Sequence, residues 1–149
     1  YLRTEILQPK ETVATISNAM DVGDPSNFVR ILELFDKEFN QVKNKLSGYT
    51  IDDEETLKTI ERVEKDYGYV LDPHGAVAFV ALEKYLTEND GKGFFLETAH
   101  PVKFPDSVEQ ATGKSVEIPK SLEELMKQEK FTTEINPQYE ELKEFLLKK

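Results

Sequence analysis

The sequence predicts an α/β fold, a three-layer sandwich with a mostly parallel sheet, in a single domain spanning residues 1–149. Three observations carry this expectation. Segments with strand character alternate with segments of helical periodicity along the whole chain. The helix read from His74 to about Leu86 is apolar around most of its circumference, through Ala76, Val77, Phe79, Val80, Ala81 and Leu82, which suits an element packed under a sheet or against another domain. No Pro/Gly-rich linker divides the chain, and 149 residues suffice for one sizeable core.

Taken in order, Thr12–Ile16 is β-branched and reads as a short strand. A polar loop, Ser17–Asp24, leads to Pro25, which suits a first helical turn with Asp24 as its N-cap. Phe28, Ile31, Leu32, Phe35, Phe39, Val42 and Leu46 then form one apolar stripe, predicting one long helix that stops at Gly48. Tyr49–Ile51 reads as a brief strand. Asp52 or Asp53 caps the next helix, which buries Leu57, Ile60 and Val63 and ends at Gly68. Tyr69–Leu71 is short and apolar, and Asp72-Pro73 repeats the cap-plus-proline signal at the head of the apolar helix.

After the Gly91–Gly93 turn, Gly93–Thr98 reads as a core strand, and Ala99–Pro101 as a turn. A short helix, Asp106–Thr112, closes at Gly113, and Val116–Pro119 is extended. Ser121-Leu122-Glu123-Glu124 has the capping-box pattern, and a final helix runs from about Pro137 to Leu147.

With 19 basic against 29 acidic residues, the chain carries a formal charge of -10. Such a surface repels phosphate backbones and anionic membranes, so neither nucleic acid nor a membrane is an expected partner. The chain has no cysteine, which excludes disulfides and thiolate metal sites and fits a reducing compartment; a cytoplasmic location is expected. It opens on Tyr1 rather than Met, so residue 1 is not expected to be a natural start.

Local chemistry is sparse. His74 lies in a first helical turn, the place of a surface or capping residue. The acidic run Asp52–Glu55 reads as a charged helix start, and two isolated histidines with scattered carboxylates predict no metal site. The loop at Asp21–Asn27 leads into a helix N-terminus, where N–H groups attract anions, but Asp21 and Asp24 oppose this and favour a capping role. No phosphate-binding glycine motif and no nucleophile–base signature occurs. Two segments stand out: the polar loop Ser17–Asn27, and Thr98–His100 at the carboxyl end of a strand, where open α/β sheets hold ligands.

Both segments resemble one family. Thr15-Ile16-Ser17-Asn18-Ala19-Met20-Asp21-Val22-Gly23-Asp24-Pro25-Ser26-Asn27 is similar to the SNAMDVGNPSN segment of threonine synthases, and Thr98-Ala99-His100-Pro101-Val102-Lys103-Phe104 to their TAHPAKF segment. Between them, Asp52–Thr56 and Gly68–Ala78 fall in the family's order and spacing. The resemblance runs from about Thr12 to the C-terminus and looks like the C-terminal third of a bacterial or fungal-type enzyme.

It implies part of a type II fold that binds pyridoxal 5'-phosphate (PLP), the fold group of tryptophan synthase β. It also implies an enzyme converting O-phospho-L-homoserine and water to L-threonine and phosphate. The family's Schiff-base lysine and cofactor-phosphate loop lie upstream of the matched region, so this chain alone is expected to be inactive and to hold no catalytic residue and no PLP. By the resemblance, Thr98 places its hydroxyl at the pyridine nitrogen of PLP, Ser17, Asn18 and Asp21 line the site or substrate, and His100 shapes the site or packs beneath it. Asp24 stands where the family often has Asn, which favours capping over phosphate contact. Strand edges and apolar faces left uncovered favour self-association of the fragment. The competing expectation is a non-catalytic partner-binding α/β domain that reuses the fold and docks a partner on the helix His74–Leu86.

Overall fold

A computed structural model describes residues 1–148. The chain forms two compact units, Tyr1–Glu117 and Ile118–Lys149. The described residues contain helices and no strands. The first unit holds α1 (Phe28–Leu34), α2 (Phe39–Lys45), α3 (Asp53–Tyr67), α4 (Pro73–Glu88) and α5 (Pro105–Thr112), with single 3-10 turns at Asn18–Met20 and Pro101–Lys103.

The expected parallel sheet is therefore not found among the described residues. Thr12–Ile16, Tyr49–Ile51, Tyr69–Leu71, Gly93–Thr98 and Val116–Pro119 include no strand residue. A strand is defined by the ladder it shares with a neighbour, and none of these segments pairs with another. The segment Gly93–Thr98 keeps the alternation of a strand without its ladder. Phe95 packs against the core, while Phe94 and Leu96 on the other face are 83% and 67% exposed.

The single long helix expected from Pro25 is also corrected. It breaks at Phe35–Glu38, where Asp36 (φ 52) and Lys37 (φ 62) take left-handed backbone. The break reorients the stripe so that Phe28 and Phe39, one from each helix, both meet the ring of Tyr1 edge-on, at centroid distances of 5.0 and 5.6 Å. Asp24 caps nothing; the residue before α1 is Asn27, whose side chain makes no capping bond.

The core is built on α3, which packs against both α4 and α5. Its start follows from local chemistry: the Asp52 carboxylate accepts from the Glu55 amide at 2.8 Å, and Asp53, Glu54 and Glu55 fill the first turn. Gly68 ends it at φ 65, a conformation that favours glycine. Its buried face carries Ile60 and Val63, joined by Leu71 and Ala76, with Phe79, Phe95 and Ala111 packed around them. Thr56 and Thr59 are buried on the same face, and each hydroxyl donates to the carbonyl four residues back, at 2.7 and 2.8 Å. At the rim between α3 and α4, Arg62 binds Glu83 through two nitrogens and lies 5.4 Å from the Phe79 ring centre.

In the second unit, α6 (Lys120–Met126) and α7 (Tyr139–Leu147) bury none of their residues. The Ser121 capping box does not form: α6 begins at Lys120 after Pro119, with no side-chain cap.

Candidate functional site

Thr98 lies at the end of the extended segment, exposed, and its hydroxyl has no hydrogen-bond partner among the described residues. His100 follows, also exposed. Its Nδ1 accepts from the Val102 amide at 3.1 Å and so caps the 3-10 turn Pro101–Lys103. The imidazole thereby fixes the chain just beyond Thr98.

The polar loop closes on itself. The Asp21 carboxylate accepts from the Thr15 amide at 2.8 Å and from the Thr15 hydroxyl at 2.6 Å, and the Ser17 hydroxyl lies 3.1 Å from that same Thr15 hydroxyl. The Ile16 amide reaches Asp53 at the head of α3, at 3.3 Å. Asp21 and Ser17 thus hold the loop shape, while Asn18 is exposed at the start of its 3-10 turn. Gly23 meets Lys10 so closely that a Cβ there would overlap the Lys10 carbonyl. Among the described residues, no hydrogen bond joins this loop to Thr98 or His100.

The densest polar cluster lies one residue before Thr98. Asp72 is fully buried at the head of α4, where its carboxylate accepts from the His74 amide (2.9 Å), the Gly75 amide (3.3 Å) and the His74 ring at Nδ1 (2.6 Å). The His74 side chain is only 10% exposed, its ring stacked at a tilt 4.8 Å from Phe104, and its Nε2 is buried without a partner. The surface or capping role read for His74 in the sequence is corrected: the residue is inside.

Glu97 reaches in from the extended segment. Its Oε1 accepts from the Asp72 amide at 3.1 Å, while its Oε2 is buried without a conventional donor. A Cβ on Gly75 would overlap this carboxyl, so glycine leaves the space that Glu97 fills. Burial, reinforced by a hydrogen bond with the Asp72 carboxyl, pushes the Glu97 carboxyl up to about 7. Burial would also raise Asp72. Its bonds to Glu97, to the His74 ring and to the His74 and Gly75 amides outweigh that, and its carboxyl sits below the usual range. Tyr69 is raised by burial and by the nearby charges of Glu97 and Asp72.

Local sequence pattern marks Asp72 only as a cap and leaves Glu97 unmarked. One signal is present: Glu97 is a charged residue within the expected core strand Gly93–Thr98, directly after Phe94-Phe95-Leu96. Among the described residues, no group of three or more metal-ligating side chains occurs, and no helix is long and apolar enough to cross a membrane.

Residues 75–146 match a family model described as threonine synthase, C-terminal. The chain is 41% identical over 151 residues to threonine synthase of Buchnera aphidicola subsp. Schizaphis graminum, an alignment spanning all of this chain and 34% of that protein. It is 47% identical over 117 residues to the Escherichia coli K12 enzyme, covering 78% of this chain and 26% of the relative. The crystal structure of threonine synthase from Escherichia coli superposes with a TM-score of 0.81 at 38% identity, over 99% of this chain and 34% of that one. A PLP-bound threonine synthase from Brucella melitensis gives 0.65 at 27% identity, over 97% and 36%. The chain thus spans about a third of the length of the curated relatives it matches.

Proposed function

Since the chain belongs to the threonine synthase family and corresponds to its C-terminal part, we propose that residues 1–149 act as one C-terminal domain of a longer, cytoplasmic enzyme. That enzyme converts O-phospho-L-homoserine and water to L-threonine and phosphate with PLP. The observation that carries the assignment of a site residue is Thr98: an exposed, unengaged hydroxyl at the end of an extended segment, within the motif that resembles the family's TAHP sequence. A PLP-bound relative supports the cofactor for the family.

The residues present fit the group. A threonine hydroxyl is a neutral donor that suits an unprotonated ring nitrogen, and no carboxylate occupies position 98 to compete for a ring proton. When bound, PLP supplies the electron sink for amino-acid chemistry. The part of this chain would be to orient: Thr98 would hold the ring nitrogen, the His100 cap fixes the backbone after it, and Ser17, Asn18 and Asp21, in the loop closed on Thr15, would line the site. The cofactor-bearing lysine belongs to the upstream region of the family, so this chain by itself is inactive in this reading. The exposed side chains of Phe94 and Leu96 form an apolar face that another layer of the longer protein covers.

In the full-length enzyme, Thr98→Ala is expected to weaken PLP binding roughly twofold to tenfold, the worth of about one net hydrogen bond, with an unaltered thermal midpoint of the cofactor-free protein. Titration of PLP absorbance measures it. Unchanged affinity and unchanged turnover would remove Thr98 from the site.

A further inference from the structure

We propose that Glu97 is a positioning residue for Thr98: its carboxyl clamps the extended segment Gly93–Thr98 onto the head of α4. Its importance for the enzyme rests on the assignment of Thr98 to the cofactor, but the clamp itself is a property of this chain.

The geometry supports the clamp from three sides. The segment Gly93–Thr98 belongs to no ladder, so its own backbone does not hold it. Phe95 is its apolar anchor, edge-on to Phe79 at 5.4 Å and 88°. Glu97 is its polar anchor, bonded to the Asp72 amide and seated in the space left by Gly75. Phe95 and Glu97 face the same way, since alternate residues of an extended chain share a side. Thr98, on the opposite face with Phe94 and Leu96, is thereby presented outward. Losing Glu97 leaves one anchor, three residues before the hydroxyl.

The clamp depends on protonation. The titratable groups facing Glu97 are Asp72 and, beyond it, His74 at the head of α4, with Tyr69 in the approach to that helix; the segment packed on His74 contributes the Phe104 ring. None is a cation fixed beside Glu97. As a neutral acid, Glu97 donates to the Asp72 carboxylate and accepts from the Asp72 amide. Once ionised it faces a buried like charge, and repulsion pushes it out. The clamp is closed below about pH 7 and opens as pH rises through that value.

Nuclear magnetic resonance on the 149-residue chain tests this without cofactor. Carboxyl carbon signals and the Thr98 amide are followed from about pH 5 to about pH 9, a range that brackets the shifted group but not an ordinary glutamate near 4.3. The expected result is a Glu97 carbon titrating near 7 with the Thr98 amide moving at the same midpoint. Glu97→Gln, which keeps a neutral donor and acceptor, should abolish the Thr98 movement and hold its signal at the low-pH position. Gly75→Ala, whose new methyl displaces the flexible end of Glu97, should return the Glu97 midpoint toward the ordinary value. A Glu97 carbon already fully ionised at pH 5 overturns the clamp, and so does a Thr98 amide that titrates unchanged in Glu97→Gln. If instead the clamp behaves as expected while Thr98→Ala leaves PLP affinity untouched in the full-length enzyme, it is the cofactor assignment that fails.

Discussion

Replacing Leu71 by alanine is expected to lower the unfolding free energy by about 2–5 kcal/mol, the range for truncating a fully buried leucine. Leu71 is 0% exposed and sits at the join of the first unit, in contact with the Ile60, Val63 and Ala76 cluster. Among the described residues the buried apolar core is small: Val42, Ile60, Val63, Leu71, Ala76, Val80 and Val108. With so few buried side chains there is little neighbouring mass to collapse into the space a leucine leaves, so the cavity term stays large. Marginal stabilities are about 5–15 kcal/mol, so this one change removes a large share. It also loosens the backbone that delivers Asp72 to the next position. The urea midpoint should fall by about 1–2 M with an unchanged slope. Tyr67→Ala, on a side chain 68% exposed at the end of α3, serves as the control and should shift stability by no more than about 0.5 kcal/mol. Equal midpoints for the two variants would show that Leu71 is not a core residue.

What could be read from the sequence was local chemistry. Asp52 before an acidic turn, Asp72-Pro73, and the glycines at 68 and 113 each specify a helix end through groups within four residues, and α3, α4 and α5 stand where those signals put them. The break at Asp36-Lys37 was hidden because the apolar stripe continues in phase across it. Only the rings of Tyr1, Phe28 and Phe39 explain why the chain turns there, and Tyr1 is distant in sequence. The strands were legible as composition but not as structure, since pairing needs a partner at the right distance and register. The candidate site divided in the same way. Asp21 and His100 turned out to hold local turns, through bonds to Thr15 and Val102. Glu97 depends on a contact with Asp72, 25 positions earlier, which no local pattern encodes.

Asp72→Ala is the second large effect, expected to cost about 2–4 kcal/mol: about 1 from the lost N-cap and the remainder from stranding buried donors. The carboxylate serves the His74 amide, the Gly75 amide and the His74 ring together, and alanine serves none of them. The pH dependence identifies the mechanism. In the parent chain Asp72 is held below its ordinary value, so its contribution is present above that value and is lost as pH falls through its lowered pKa. Glu97 is raised from 4.5 to about 7, so its contribution is complete below 4.5 and is lost as pH climbs through about 7. Stability should therefore decline on both sides of a mildly acidic maximum. Asp72→Ala removes the acid limb outright. It also relieves the like charge that ionised Glu97 would face, so the decline toward neutrality should flatten and the Glu97 midpoint should drop. Urea midpoints measured across the pH range separate this from simple helix fraying, which would lower stability by the same amount at every pH. A profile for Asp72→Ala that loses the acid limb but keeps the parent's decline toward neutrality would mean that the carboxyl pair is not coupled and that Asp72 acts as a cap alone.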